Sequence, residues 1–205
     1  MKRLFDVVSS IYGLVVLSPI LLITALLIKM ESPGPAIFKQ KRPTINNELF
    51  NIYKFRSMKI DTPNNTPTHL LENPNQYITK VGRFLRSTSM DELPQIWNIL
   101  VGEMSIIGPR PALWNQTDLI LERDKYNVNN FLPGLTGWAQ INGRDELSIK
   151  IKAALDAEYC ENISMSMDIK CFFLTIKRVV KSEGVVEGKI NESIKEAAVS
   201  KLEEE

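Results

Sequence analysis

Histidine is nearly missing from this chain: of 205 residues only His69 is a histidine, and only Cys160 and Cys171 are cysteines. One imidazole in a stretch rich in Pro, Asn and Thr cannot build a histidine metal site or a Ser-His catalytic pair. The two cysteines have neither metal-ligand nor redox spacing, so they read as free thiols in a reducing compartment. A large net charge is missing too. With 25 Lys and Arg against 24 Asp and Glu the formal charge is +1, which gives no electrostatic reason to bind nucleic acid. Neither the P-loop nor the dinucleotide-binding glycine pattern occurs, which argues against ordinary ATP hydrolysis. There are no internal repeats. The length suffices for one domain with a core, or for one domain plus a membrane element.

What the chain has in excess is a single apolar run. Residues 7–28 carry no charge, and about 20 apolar residues are enough to cross a bilayer core of roughly 30 Å. A cleaved signal would be shorter and would end at small residues, whereas Lys29-Met30-Glu31-Ser32-Pro33 follows here. Ser18-Pro19 lies near the middle. A proline there removes a helix hydrogen bond, at about 3 kcal/mol in a regular interior, and a neighbouring serine can satisfy the freed backbone. Both flanks are basic: Lys2 and Arg3 before the run, Lys29, Lys39, Lys41 and Arg42 after it. The positive-inside tendency then puts both ends in the cytoplasm. A broken, re-entrant helix that enters and leaves by one face meets both observations. A single-pass helix with a tolerated proline competes with it.

Past the turn Ser32-Pro33-Gly34-Pro35, residues 36–40 and 49–58 read as a strand hairpin about Asn46-Asn47, with Lys54 and Arg56 on one face. Helices are expected over residues 77–85, about 89–101, 112–127, 145–161 and 168–181. Residues 61–75 and the glycine-rich 131–144 read as loops. In the last helix Ile169, Phe172, Phe173, Ile176, Val179 and Val180 form a stripe away from Lys170, Lys177, Arg178 and Lys181. Such a helix suits either an anionic membrane interface or a core. The expected fold class is α+β, mostly helical, with a small β-hairpin and an N-terminal kinked re-entrant membrane helix. Its parts would be a membrane helix over 1–31, a cytoplasmic catalytic domain over 32–185 and an acidic tail over 186–205.

Asp91 and Glu92 are adjacent acids near a helix start. Ser89 and Glu92 fit the capping-box spacing, so they could serve only to begin a helix. Their neighbours suggest chemistry. Arg83 and Arg86 precede them, Arg110 and Arg144 sit in Gly/Pro-rich loops, and Lys54 and Arg56 lie on a strand. Arginine forks suit phosphate. Adjacent acids can hold Mg²⁺, and a carboxylate can attack phosphorus.

These residues carry a resemblance. The chain resembles the monotopic phosphoglycosyl transferases, the small single-domain branch of the bacterial sugar transferases, over nearly its whole length from Lys2-Arg3-Leu4-Phe5-Asp6 to Ser182-Glu183-Gly184. The matching motifs are Leu17-Ser18-Pro19, Tyr53-Lys54-Phe55-Arg56-Ser57-Met58, Arg86 with Asp91-Glu92-Leu93-Pro94-Gln95, Gly108-Pro109-Arg110-Pro111, and the run from Pro133-Gly134-Leu135-Thr136-Gly137-Trp138 to Asn142-Gly143-Arg144. The resemblance implies transfer of a sugar-1-phosphate from a UDP-sugar to polyprenyl (undecaprenyl) phosphate. UMP would be released, and the product would begin capsule, O-antigen or glycoprotein glycan assembly. It implies Asp91 as nucleophile and Glu92 as the partner that helps hold Mg²⁺. It assigns phosphate or substrate contacts to Lys54, Arg86 and Arg144, with Arg56, Arg110 and Asp168 as further candidates, and the helix break to Ser18 and Pro19. The implied location is the bacterial inner membrane, monotopic and facing the cytoplasm among membrane lipid, with a homo-oligomer left open. Two rivals use the same residues: a membrane-bound Mg²⁺-dependent nucleotide-sugar hydrolase, and a membrane-anchored interaction module without catalysis.

Overall fold

The computed structural model describes residues 2–62, 74–143 and 147–181. Their order is α1 (Lys2–Glu31), β1 (Ile37–Pro43), β2 (Leu49–Phe55), α2 (Lys80–Ser87), α3 (Gln95–Val101), β3 (Ser105–Ile107), α4 (Thr117–Asp124), β4 (Gly134–Thr136), α5 (Trp138–Ile141), α6 (Ile149–Glu161) and α7 (Met165–Lys181). The described residues are mostly helical, with two small sheets among them. His69, Arg144 and the acidic tail lie outside the described residues.

The 30 residues of α1 form one helix, with Pro19 inside it. It is about 45 Å long at 1.5 Å per residue. Pro19 has no N–H to offer the carbonyl four residues back, which is that of Val15. The Ser18 hydroxyl donates to that carbonyl at 2.8 Å, so a side chain replaces the missing backbone donor. The helix is also inside out. Its buried residues include Asp6, Ser10 and Thr24, while Leu4, Phe5, Tyr12, Val15, Leu22 and Leu26 are all more than half exposed. A helix in water arranges these the other way.

Both ends of α1 are fastened to the rest of the chain. At the N-terminal end, Lys2 pairs with Asp168 on α7. Arg3 donates to the carbonyls of Ile99 and Leu100, the unsatisfied C-terminal end of α3. Asp6 accepts from the Ser105 hydroxyl and the Ile106 N–H on β3. At the other end, the Glu31 carboxylate accepts from the Lys80 and Val81 N–H groups and so caps α2. There Ile28 packs with Ala36, Phe55 and Leu85.

The hairpin forms as the alternation suggests. β1 and β2 pair antiparallel from Ile37↔Phe55 to Pro43↔Leu49. Asn46 and Asn47 take positive φ in the connection, as asparagine tolerates. Phe50 and Ile52 face a cluster with Ile99 and Met104. On the far edge of β2, Asn98 of α3 stands in for a strand. Its side-chain oxygen accepts from the Tyr53 N–H, and its amide donates to the Asn51 carbonyl.

Other expectations need correction. The helix expected over 112–127 is only α4, because Pro109 and Pro111 leave an extended entry. The expected loop 131–144 contains β4, which pairs parallel with β3, and the short α5. Glycine decides this pairing. A Cβ on Gly137 would lie 2.0 Å from the Gly108 carbonyl oxygen, so the two segments cross backbone to backbone. Cys160 and Cys171 are buried and free. Burial pushes their thiols up to about 12 and about 11.

Candidate active site

α2 is held at Gly82 against the segment that leaves β2, where a Cβ would sit 1.9 Å from the Ser57 carbonyl oxygen. The helix ends at Thr88, whose hydroxyl donates to the Phe84 carbonyl. Ser89 then turns the chain with φ 56° and ψ 16°, a left-handed conformation uncommon outside glycine and asparagine. One 3-10 turn, Met90–Glu92, follows before Pro94 opens α3. Ser89 makes no side-chain cap bond, so the capping box suggested by the sequence does not form. The turn instead presents Asp91 and Glu92 toward the inner face of the hairpin.

That face supplies Lys54, two residues on from Ile52 and therefore on the same side of the strand. Its ammonium donates to Glu92 Oε1 at 2.8 Å. Arg110 reaches the same carboxylate from the Gly108-Pro109-Arg110-Pro111 turn, with Nη2 at 2.6 Å from Oε1 and Nη1 at 3.3 Å from Oε2. Glu92 is thus held by two cations at once, with 11% of its side chain exposed. Asp91 differs: among the described residues no side chain hydrogen-bonds to its carboxylate. Burial raises its pKa from the ordinary 3.8, the Glu92 charge raises it further, and Lys54, Arg86 and Arg110 pull it down. Burial lowers Lys54, against the pull of Glu92.

The structure therefore gathers Lys54, Arg86, Asp91, Glu92 and Arg110 in one cluster. Two candidates go elsewhere. Arg56 shares the Lys54 face, but its guanidinium is spent on the Ser32 and Pro33 carbonyls and the Ser32 hydroxyl, closing the exit of α1. Asp168 accepts from Lys2 and from the Tyr159 hydroxyl, both at 2.6 Å, tying α7 to α1 and α6. Both residues are fasteners in this structure, not members of the cluster. Arg144 lies outside the described residues.

Four supporting residues were not legible in advance. Pro109 and Pro111 have no N–H, so the Arg110 turn is fixed through its carbonyls. Gly134 N–H donates to Pro109 O, Arg123 Nη1 to Arg110 O and Arg42 Nη1 to Pro111 O. Arg123 is itself paired with buried Asp156 of α6. Asn98 sets β2 from the opposite edge. Arg42 was visible only as a flanking charge. The other three carry no motif, because their partners are distant in sequence.

Among the described residues no three His, Cys, Asp or Glu side chains converge as a metal cage. Two adjacent carboxylates, one of them uncommitted, fit an ion such as Mg²⁺ that takes one or two carboxylates and completes its shell with phosphate oxygens and water.

Comparison with known proteins bears on this cluster. The family model described as bacterial sugar transferase matches residues 1–182. The chain is 40% identical over 185 residues to the uncharacterized sugar transferase EpsL of Bacillus subtilis, covering 90% of each. It is 42% identical to the undecaprenyl-phosphate glucose phosphotransferase of Komagataeibacter xylinus, covering 88% of this chain and 36% of that protein. It is 35% identical to the undecaprenyl-phosphate galactose phosphotransferase of Salmonella typhimurium, covering 90% of this chain and 41% of that protein. The chain spans most of the first and about two-fifths of the other two.

Proposed function

The chain belongs to the bacterial sugar transferase family, and we propose that it moves a sugar-1-phosphate from a UDP-sugar to undecaprenyl phosphate, in two displacements at Asp91. The observation that carries this reading is the asymmetry of the acids. Glu92 is clamped by Lys54 and Arg110, while no side chain among the described residues hydrogen-bonds to Asp91. A nucleophile needs free oxygens, and a positioned partner does not.

In the first displacement an Asp91 oxygen attacks the donor's β-phosphorus. The bond from that phosphorus to the bridging oxygen breaks, and UMP leaves. The enzyme then holds an aspartyl sugar phosphate. In the second, an oxygen of the lipid phosphate attacks the same phosphorus. The acyl-phosphate bond breaks, Asp91 is regenerated as a carboxylate, and the product is a polyprenyl-diphosphate sugar. Lys54, Arg86 and Arg110 lie where negative charge builds up and stabilise it without reorganising. Asp91, with Glu92 beside it, would hold Mg²⁺, which when bound neutralises phosphate charge and orients the donor. The covalent step lets a soluble donor and a lipid acceptor use one site in turn.

The membrane reading rests on α1. A straight crossing would put its two ends on opposite sides of a bilayer. Here Lys2, Arg3 and Asp6 at one end and Glu31 at the other are all bonded to the domain that carries the dyad. This favours a re-entrant or interfacial helix whose apolar outer face meets lipid on the cytoplasmic side, with Ser18-Pro19 near its middle and exposed. The α7 stripe of Ile169, Phe172, Phe173 and Ile176 faces outward, which favours the interfacial reading of that helix over the core one.

The test is UMP release by the purified protein with Mg²⁺, a panel of UDP-glucose, UDP-galactose and UDP-N-acetylgalactosamine, and undecaprenyl phosphate present or absent. Sustained release that requires the lipid, with a trapped sugar phosphate on Asp91, is expected. Release indifferent to lipid would favour the hydrolase. Full turnover by Asp91→Asn would refute the covalent route.

A further inference from the structure

Among the described residues the most deeply buried ion pair lies outside the cluster. Arg123 on α4 and Asp156 on α6 have side chains 4% and 1% exposed. Burying two charges is costly, and a well-packed apolar pair of the same volume is often as stable. The pair therefore calls for a role beyond stability. The geometry supplies one. The Nε and Nη2 groups of Arg123 both bond to Asp156 Oδ2, which fixes the plane of the guanidinium. Its remaining donor, Nη1, then points at the Arg110 carbonyl, at 2.9 Å. Arg110 stands between two prolines, so neither adjacent residue offers an N–H, and the nearest upstream backbone anchor is Gly108 N–H on the Thr136 carbonyl. Its backbone position depends on imported donors, and its side chain sets Glu92.

We infer that Arg123 and Asp156 are a positioning pair for the reaction, acting through the Arg110 backbone to place the Arg110 guanidinium against Glu92. The series is Asp156, Arg123, the Arg110 carbonyl, the Arg110 guanidinium, Glu92, and it crosses from α6 to the dyad turn. Arg42 grips the next carbonyl, that of Pro111, from β1. With Gly134 N–H on the Pro109 carbonyl, all three carbonyls of the turn are held, and the Arg123 donor is the one oriented by buried Asp156. This inference rests on the transfer reaction above for its kinetic readout.

The experiment is a double-mutant cycle on the full chain, using Arg123→Lys and Arg110→Ala. Lysine keeps the charge for Asp156 but cannot bond to it and to the Arg110 carbonyl with a planar fork. Misplacing a reacting group by about 1 Å can cost roughly 100-fold. Arg123→Lys should therefore lower kcat for UMP release by about that factor, with the donor KM little changed and the melting temperature near that of the parent. In the Arg110→Ala background the same change should cost almost nothing, because its target is gone. Losses that multiply, or an Arg123→Lys enzyme with parental kcat, would overturn the inference. Should Arg123→Lys not fold, Asp156→Glu takes its place in the cycle with the same two outcomes. An inactive parent would refute the transfer reaction instead. A crystal structure of Arg123→Lys then decides the inference alone: Arg110 displaced from Glu92 upholds it, and Arg110 still bonded to Glu92 overturns it.

Discussion

Two carboxylates, Glu92 and Asp156, are both buried and both paired with arginine, yet they sit in opposite kinds of site. Asp156 meets one arginine, which bonds to it through two nitrogens and is sealed by α4 and α6. One acid meets one arginine there, and both bonds converge on a single oxygen, Oδ2. Glu92 meets Lys54 and Arg110 and has Asp91 beside it, on which Arg86 also acts. That cluster has an acid to spare. A matched pair can only hold something in place, whereas a cluster with an uncommitted acid can bind a ligand or react with one.

The comparison breaks most sharply at Asp91. Asp91→Asn should abolish transfer, lowering UMP release by about 10⁴-fold or more, as loss of a nucleophile does. Turnover within tenfold of the parent would return the dyad to a structural role. Next comes Arg110→Ala, which strips one cation from Glu92 and from the phosphates. A fall in kcat/KM of about 10²–10³-fold is expected, as for loss of one charge-stabilising donor. Steady-state kinetics over a series of donor concentrations reads it.

The matched site should answer in stability. Arg123→Met leaves Asp156 buried without its partner, and chemical denaturation should show a loss of about 3–5 kcal/mol. An unchanged midpoint would mean that the pair is not closed.

The smallest effect concerns the charge on Asp91 itself. Burial first, and Glu92 second, raise Asp91 above its ordinary 3.8. A raised acid favours the folded state below the unfolded value, and that contribution is lost as pH rises through the folded one. At neutral pH the ionised Asp91 therefore works against the fold. Asp91→Asn should melt slightly above the parent at pH 7, with the difference fading toward pH 4. A lower melting temperature at pH 7 would argue that Asp91 is a stabilising group after all.

The sequence disclosed most about elements whose partners are close along the chain. Asn46-Asn47 and the flanking alternation gave the hairpin, and the uncharged run gave α1. Within the cluster, Asp91, Glu92, Lys54, Arg86 and Arg110 were all legible. Arg56 looked equivalent to Lys54 because strand periodicity gives a face and not a destination; only tertiary packing sends it to Ser32 and Pro33. Asp168 was a candidate only through the resemblance, and Lys2 and Tyr159 claim it in the fold. The β3–β4 pairing was hidden because a three-residue parallel pair has no local signature. Its two glycines read as loop when they in fact permit contact between backbones. Ser89-Met90-Asp91-Glu92 matched a cap in composition but turns left-handed at Ser89, which no spacing rule conveys.

The fastening of α1 also orders events during synthesis. Lys2, Arg3 and Asp6 leave the ribosome well before their partners, which are Asp168, Ile99, Leu100, Ser105 and Ile106. At about 5–20 residues per second, Asp168 follows Lys2 by roughly 10–30 s. For that interval the leading end of the helix holds charged groups whose permanent partners do not yet exist, while its apolar face already seeks lipid. α1 is thus complete long before its leading end can be fastened, and α7 closes the grip on α1 through Asp168.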